Sequence, residues 1–154
     1  VQEWFAYYIK PYLKVDKVCY DEEGCWSYPA TYMNGTHISN LSARGIGGNI
    51  VTFTTIEGIL FNLDVNVPTD LYDLYGVESD NDAVVLHVDI NGTKPPNIYG
   101  KDIFVFVFTN RGFVPAGNDK TRAQVNAECS EDGRGVWCIS KIARNNWKLG
   151  DENL

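Results

Sequence analysis

No apolar run in this chain approaches the roughly 20 residues that a membrane-crossing helix needs. The longest, residues 103–108, has the length of a strand. Histidine is scarce: His37 and His87 are the only two. Cysteine never occurs as Cys-x-x-C, which removes the commonest zinc and redox spacing. No serine sits in a Gly-x-Ser-x-Gly elbow, the strained turn that exposes a hydrolase nucleophile. The glycines of Arg44-Gly-Ile-Gly-Gly-Asn lack the order of a dinucleotide fingerprint. They also lead toward a strand, whereas a phosphate cradle opens a helix N-terminus. Bases number 13 against 20 acids, for a net charge of −7, and they are scattered. A duplex-binding surface needs clustered cations to displace counterions, so nucleic acid is not an expected partner. Acids are plentiful, but no spacing marks a carboxylate pair for glycoside cleavage. Together these absences argue against an enzyme.

What remains is material for one packed domain over residues 1–154. The length suits a single core, and 44% apolar residues with 13% aromatics supply large groups to fill it. The four cysteines fall into two local pairs, Cys19 with Cys25 and Cys129 with Cys138. Three pairings are open to four cysteines. Short loops close most easily, which favours the two local bridges and an oxidising compartment. The alternative is one zinc site that uses all four. The sequence begins at Val1 with no signal peptide, which reads as a mature or partial chain of something exported.

VQEWFAYYIKPYLKVDKVC carries helical periodicity: Trp4, Tyr8, Tyr12 and Val15 recur at three- and four-residue steps. It predicts a helix over residues 1–19, kinked at Pro11. Residues 28–48 are rich in Gly, Asn, Ser and Thr and read as an irregular loop with room for a short helix or strand. NIVTFTT and ILFNLDV alternate like strands around the turn at residues 56–58, a hairpin. Residues 68–82, PTDLYDLYGVESDND, form a second irregular segment with acids and tyrosines. AVVLHVDI and KDIFVFVFT are the third and fourth strands, and the unbroken apolar run of the last predicts a central strand covered on both faces. His87, among valines, reads as a core histidine; His37 lies in a loop. The three Asn-x-Ser/Thr sequons, at Asn34, Asn40 and Asn91, are ordinary for so Asn-rich a chain. The expected class is α+β: an N-terminal helix laid on an antiparallel sheet of about four strands, with a disulfide-closed C-terminal region.

The connection VDINGTKPPNIYGKD, residues 88–102, combines Asn-Gly with two prolines. Asp89, Asn91, Asn97 and Asp102 supply oxygens of the kind calcium takes. The spacing departs from an EF-hand, whose sixth position is Gly; counted from Asp89 that position is Lys94, and no bidentate Glu follows. Pro95 and Pro96 deny a returning strand its donors, while Asp89 and Asn91 suit Asx-turns. The expectation is a rigid, self-bonded connection that serves the fold first. No cofactor is required, and calcium is the one cation the loop would suit.

Asp-x-Asn-Gly-x-x-x-Pro-Asn-x-x-Gly-x-Asp-x-Phe, spanning Asp89 to Phe104, joins an N-terminal helix running into CYDEEGCW and a C-terminal cysteine loop followed by Ile-x-x-x-x-Trp-Lys. This combination resembles the bacterial type IV pilin-like family: pilins, minor pilins and type II secretion pseudopilins. The resemblance covers most of the chain and is strongest from residue 88 onward. It implies a structural subunit, major or minor, of a pilus or secretion pseudopilus. Family members begin with an apolar segment that a prepilin peptidase processes, so this chain resembles the soluble part of such a subunit. The resemblance further implies self or other pilin-like subunits as partners, together with the assembly machinery. The full-length form would be anchored in the inner membrane before assembly and would reach the periplasm or cell surface. Trp4, Phe5, Tyr8 and Tyr12 would then divide between the domain's own sheet and neighbouring helices. A reading from another class is a recognition module that uses residues 68–82, with Asp70, Tyr72, Asp73 and Tyr75 as contacts; a tip-located minor pilin would combine the two.

Overall fold

The computed structural model describes residues 1–26 and 28–148. In chain order its elements are α1 (Gln2–Tyr8), β1 (Val15–Tyr20), β2 (Leu41–Ser42), β3 (Gly45–Ile46), β4 (Val51–Thr55), β5 (Leu60–Asn66), α2 (Pro68–Asp73), β6 (Ala83–Asp89), β7 (Ile103–Thr109), β8 (Gly112–Pro115), α3 (Arg122–Glu128) and α4 (Cys138–Arg144). The class is α+β, as expected. The main sheet has six strands, all antiparallel, in the order β1-β4-β5-β6-β7-β8; β2 and β3 pair separately.

Two strands beyond the expected four come from segments read otherwise. The helix predicted over residues 1–19 stops at Tyr8. Pro11 lacks the N–H that a continuing helix would use, and it disfavours helical backbone at Lys10. The chain then extends, and Val15–Tyr20 pairs with β4. Tyr12 and Val15, placed on the helix by their spacing, therefore lie outside it. The turn at residues 110–112 leads into a true strand, β8, paired with β7. KDIFVFVFT is accordingly one strand from the sheet edge, and β5 and β6 hold the centre.

The alternation along β6 and β7 divides their side chains between two cores. On one face Phe5 of α1 packs with Val51, Phe53, Leu63, Val84 and Leu86. On the other, Val85, Ile103, Val105 and Val107 meet Trp26, Ile46, Tyr75, Tyr99 and Ile139. A buried polar contact pins the β2–β3 ribbon to this second face: Asn62 accepts from the Ile46 N–H at 3.0 Å and from the Thr52 hydroxyl at 2.9 Å, and donates to the Ile46 carbonyl at 2.8 Å. The segment read as irregular is thus partly ordered by one asparagine in a neighbouring strand.

Both local disulfides form, Cys19–Cys25 and Cys129–Cys138, and no cysteine is left free among the described residues. The four-cysteine zinc reading is thereby set aside. The second bridge joins the end of α3, which opens on a Thr121–Gln124 capping box, to the start of α4. Replacing Cys129 and Cys138 by alanine together is expected to lower unfolding stability by roughly 2–3 kcal/mol, the loop-closure value for so short a ring. Urea denaturation of both proteins measures it, and an unchanged midpoint would contradict the value.

Candidate functional site

The connection from β6 to β7 carries the densest polar chemistry in the domain. It is a self-bonded loop, as its prolines and Asx residues predict. Asp89 ends β6 almost fully buried, at 1% exposure. Its Oδ2 accepts from the Tyr28 hydroxyl at 2.7 Å and its Oδ1 from the Asn91 N–H at 3.3 Å. The Gly92 N–H turns back to the Asp89 carbonyl at 3.3 Å. Gly92 has φ +64, and a Cβ there would meet the Gly58 carbonyl of the β4–β5 turn, so only glycine seats the loop against its neighbour. The Pro95–Pro96 peptide is cis.

Asp102 is also buried, at 3% exposure. Its carboxylate folds inward and accepts from the N–H of Asn97 at 2.7 Å and of Ile98 at 2.6 Å. It therefore acts as a clamp on the loop backbone, with both oxygens taken up by N–H groups. Burial is the main cause that lifts the Asp89 carboxyl to about 6, and the Asp102 charge adds to it. The Tyr28 hydroxyl and the N–H groups of Asn91 and Gly92 act in the opposite sense. Burial, then Asp89 itself, hold the Tyr28 hydroxyl well above its ordinary range.

The remaining residues tie the loop to itself. The Asn91 side-chain amide donates to Asp89 Oδ1 at 2.8 Å and to the Lys94 carbonyl at 3.0 Å; the Asn97 side-chain amide donates to that same carbonyl at 2.7 Å and to the Gly92 carbonyl at 3.2 Å. Asn97 is 6% exposed. Sequence reasoning named Asp89, Asn91 and Asn97, but it missed Tyr28, distant in the chain, and the carbonyls of Gly92 and Lys94. Backbone carbonyls leave no mark in residue identity, so nothing in the sequence could have selected them. No group of three or more His, Cys, Asp or Glu side chains suited to a metal occurs among the described residues.

The loop also touches the C-terminal disulfide. Gly100 (φ +82) sits against Cys138 Sγ and the tip of Met33, where a Cβ would come within 2.6 Å of each. The two stretches that carry the family resemblance are thus packed on one another.

The expected partner segment behaves differently from its reading. Residues 68–73 form helix α2, entered through Pro68 at its first turn. Asp70, Tyr72 and Asp73 are exposed, and the Lys120 ammonium sits 3.2 Å from the centre of the Tyr72 ring. Tyr75 is no surface contact: at 5% exposure it packs edge-on against His87 in the core. It lies in the turn after α2, two residues beyond the helix end. His87 is fully buried, with Nδ1 2.8 Å from the Tyr99 hydroxyl, the core position expected of it. Residues 78–83 and 108–111 line an open cleft of about 460 Å³.

On the opposite sheet face, Trp4 and Phe5 of the expected assembly set pack inward, on Phe108 and Phe53 respectively. Tyr8 is 52% exposed and Tyr12 80%. No helix among the described residues is long and apolar enough to cross a membrane. No family model matches the chain, and no curated protein and no solved structure matches it either.

Proposed function

We propose that this domain is a pilin-like structural subunit, working by assembly into a bacterial surface or secretion filament. The observation that carries the reading is the two-sided N-terminal helix. One side of α1 is spent on the sheet, with Phe5 completely buried. The other side and the segment after it leave Tyr7 73%, Tyr8 52%, Tyr12 80% and Leu13 38% exposed. Exposed apolar and aromatic side chains of this kind offer a surface to another protein element, and the reading assigns them to the N-terminal helices of neighbouring subunits. The antiparallel sheet beneath the helix and the disulfide-closed C-terminal region support the same reading. In it, an apolar segment ahead of α1 anchors the full-length form before assembly.

The test uses filaments sheared from the source bacterium and probed with antibody against this domain. Wild-type chain is expected in the filament fraction. Tyr7→Glu with Tyr12→Glu should abolish its recovery there while the isolated domain keeps its melting temperature, because both side chains are already in water. Recovery of the double variant at wild-type levels overturns the assembly face, and absence of the wild-type chain from every filament preparation overturns the reading itself.

The recognition reading keeps one supporting observation, the cleft that residues 78–83 and 108–111 form, to which the acidic end of the 68–82 segment contributes Glu78, Asp80 and Asp82. Of the expected contacts, Asp70, Tyr72 and Asp73 are exposed and Tyr75 is not. A pull-down that exchanging residues 68–82 leaves unchanged would remove it.

A further inference from the structure

We propose that the cavity beside the β2–β3 ribbon binds a small carboxylate with an apolar body, a molecule the size of benzoate. The inference does not depend on the assembly reading. The cavity measures about 210 Å³. At about 30 Å³ for each water it has room for about seven waters, or for one small molecule in their place. Distant stretches of the chain wall it: Tyr32, the ribbon and the residues before it, the turn after α2, the β6–β7 connection and the loop between Cys129 and Cys138.

The first support is the polar lining. A gap left by imperfect core packing is apolar and stays dry; three tyrosines line this one. Tyr75 is buried, at 5% exposure. Its hydroxyl makes no hydrogen bond among the described residues, yet it is not sealed off as the unpartnered atoms of Thr55, His87 and Ser140 are. The accessible part of Tyr75 therefore opens on the cavity. Tyr99 spends its hydroxyl on His87 Nδ1, at 2.8 Å, and Tyr32 stacks on the Tyr99 ring with centres 5.5 Å apart. Burial raises all three hydroxyls above their ordinary range, so each stays a protonated donor, and the Arg134 charge acts on all three in the opposite sense.

The second support is Arg134, the one charged residue on the wall. It is held in place. Its Nε lies 3.0 Å from Glu128 Oε1, its Nη2 donates to the Leu74 carbonyl at 3.1 Å, and its own carbonyl accepts from the Met33 N–H at 2.9 Å. Nη1 has no partner among the described residues. A guanidinium with N–H groups to spare suits a carboxylate, which it can meet with two parallel bonds. Donors already fixed spare a ligand the cost of ordering them. A cation would find the guanidinium beside it and no carboxylate on the wall. A bare inorganic anion would leave Ile46, Leu74 and Val136 unused, and these apolar side chains reward a hydrocarbon or aryl body.

Benzoate is the probe, with benzamide as its uncharged counterpart and inorganic phosphate as an anion without a body. Titration into the isotope-labelled chain, followed by amide NMR shifts, should give a benzoate Kd of about 0.1–1 mM, the scale for so few atoms. The shifts should centre on residues 31–33, 74–76 and 134–136. Benzamide and phosphate should each bind at least tenfold more weakly. Tyr75→Phe removes one hydroxyl and keeps the ring against His87; it should weaken benzoate roughly threefold to tenfold. Arg134→Gln should weaken benzoate at least tenfold and leave benzamide unchanged. Tyr72→Phe, on the exposed surface of α2, should change nothing. If Arg134→Gln does not fold, the Tyr75→Phe comparison decides. Absence of shifts with benzoate at tenfold the expected Kd overturns the site. Benzamide or phosphate binding as tightly as benzoate overturns the ligand class, and benzoate binding that Tyr75→Phe leaves unchanged places the molecule elsewhere and overturns the proposal.

Discussion

Phe5→Ala lowers the stability of the domain by about 3–5 kcal/mol, the range for emptying a buried aromatic site. Phe5 is wholly inaccessible, packs at a tilt on Phe53 with ring centres 4.8 Å apart, and meets Tyr20 edge-on at 6.1 Å. It is also the only fully buried residue of a seven-residue helix. A helix that short has no stability of its own in water; its contacts with the sheet hold it. The substitution should therefore undock α1 as well as weaken the whole. Amide hydrogens of residues 5–10 would exchange faster relative to those of β5 and β6. Denaturant unfolding gives the first quantity and hydrogen exchange the second. A loss under about 1 kcal/mol, the cost of an ordinary surface change, would mean that the sheet face closes without the helix.

Acidification produces the second large effect, through His87. Burial alone pushes its pKa down to about 3, against about 6.5 in an unfolded chain. Between those values the unfolded state binds a proton that the folded state refuses. The contribution is complete above pH 6.5 and is lost as pH falls toward 3, at about 1.4 kcal/mol per pH unit. Asp89 works in the opposite sense: its carboxyl, raised to about 6, binds a proton more readily folded than unfolded, so between about pH 6 and 4 it offsets the histidine. Tyr75 and Tyr99, which also face the ring, stay neutral throughout. The informative quantity is thus a difference. Wild-type stability minus that of His87→Leu should be constant above pH 7 and should fall by about 1.4 kcal/mol per unit below 6.5. A flat difference would show that His87 is protonated in the native state.

Strands β4 to β7 were legible in the sequence because each has one or two apolar faces to declare. Predicted and observed ends agree within two residues. The first nineteen residues misled because Trp4, Tyr8, Tyr12 and Val15 keep helical spacing across Pro11, while the pairing partner of Val15–Tyr20 lies far along the chain in β4. β8 was hidden by its shortness and its glycine and proline. Within the candidate site, side-chain oxygens could be named from Asp89, Asn91 and Asn97. The inward turn of Asp102 could not, since it depends on where the N–H groups of Asn97 and Ile98 point. Tyr75 was misassigned because acidic neighbours made its segment look wet, whereas the turn after α2 places it in the core against His87.

The ends of the sheet constrain how copies of this domain can meet. At one end β1 exposes Asp16 and Lys17, and the Lys17 ammonium reaches 2.7 Å to the Gly24 carbonyl inside the Cys19–Cys25 ring. At the other, β8 is four residues long and ends in Pro115. Charge, a short strand and proline each discourage a further strand from docking. A polymer of this chain is therefore poorly suited to growth by backbone pairing, the route that leads to fibres that do not come apart. Its contacts between copies must be made by side chains, and such contacts can be taken down again.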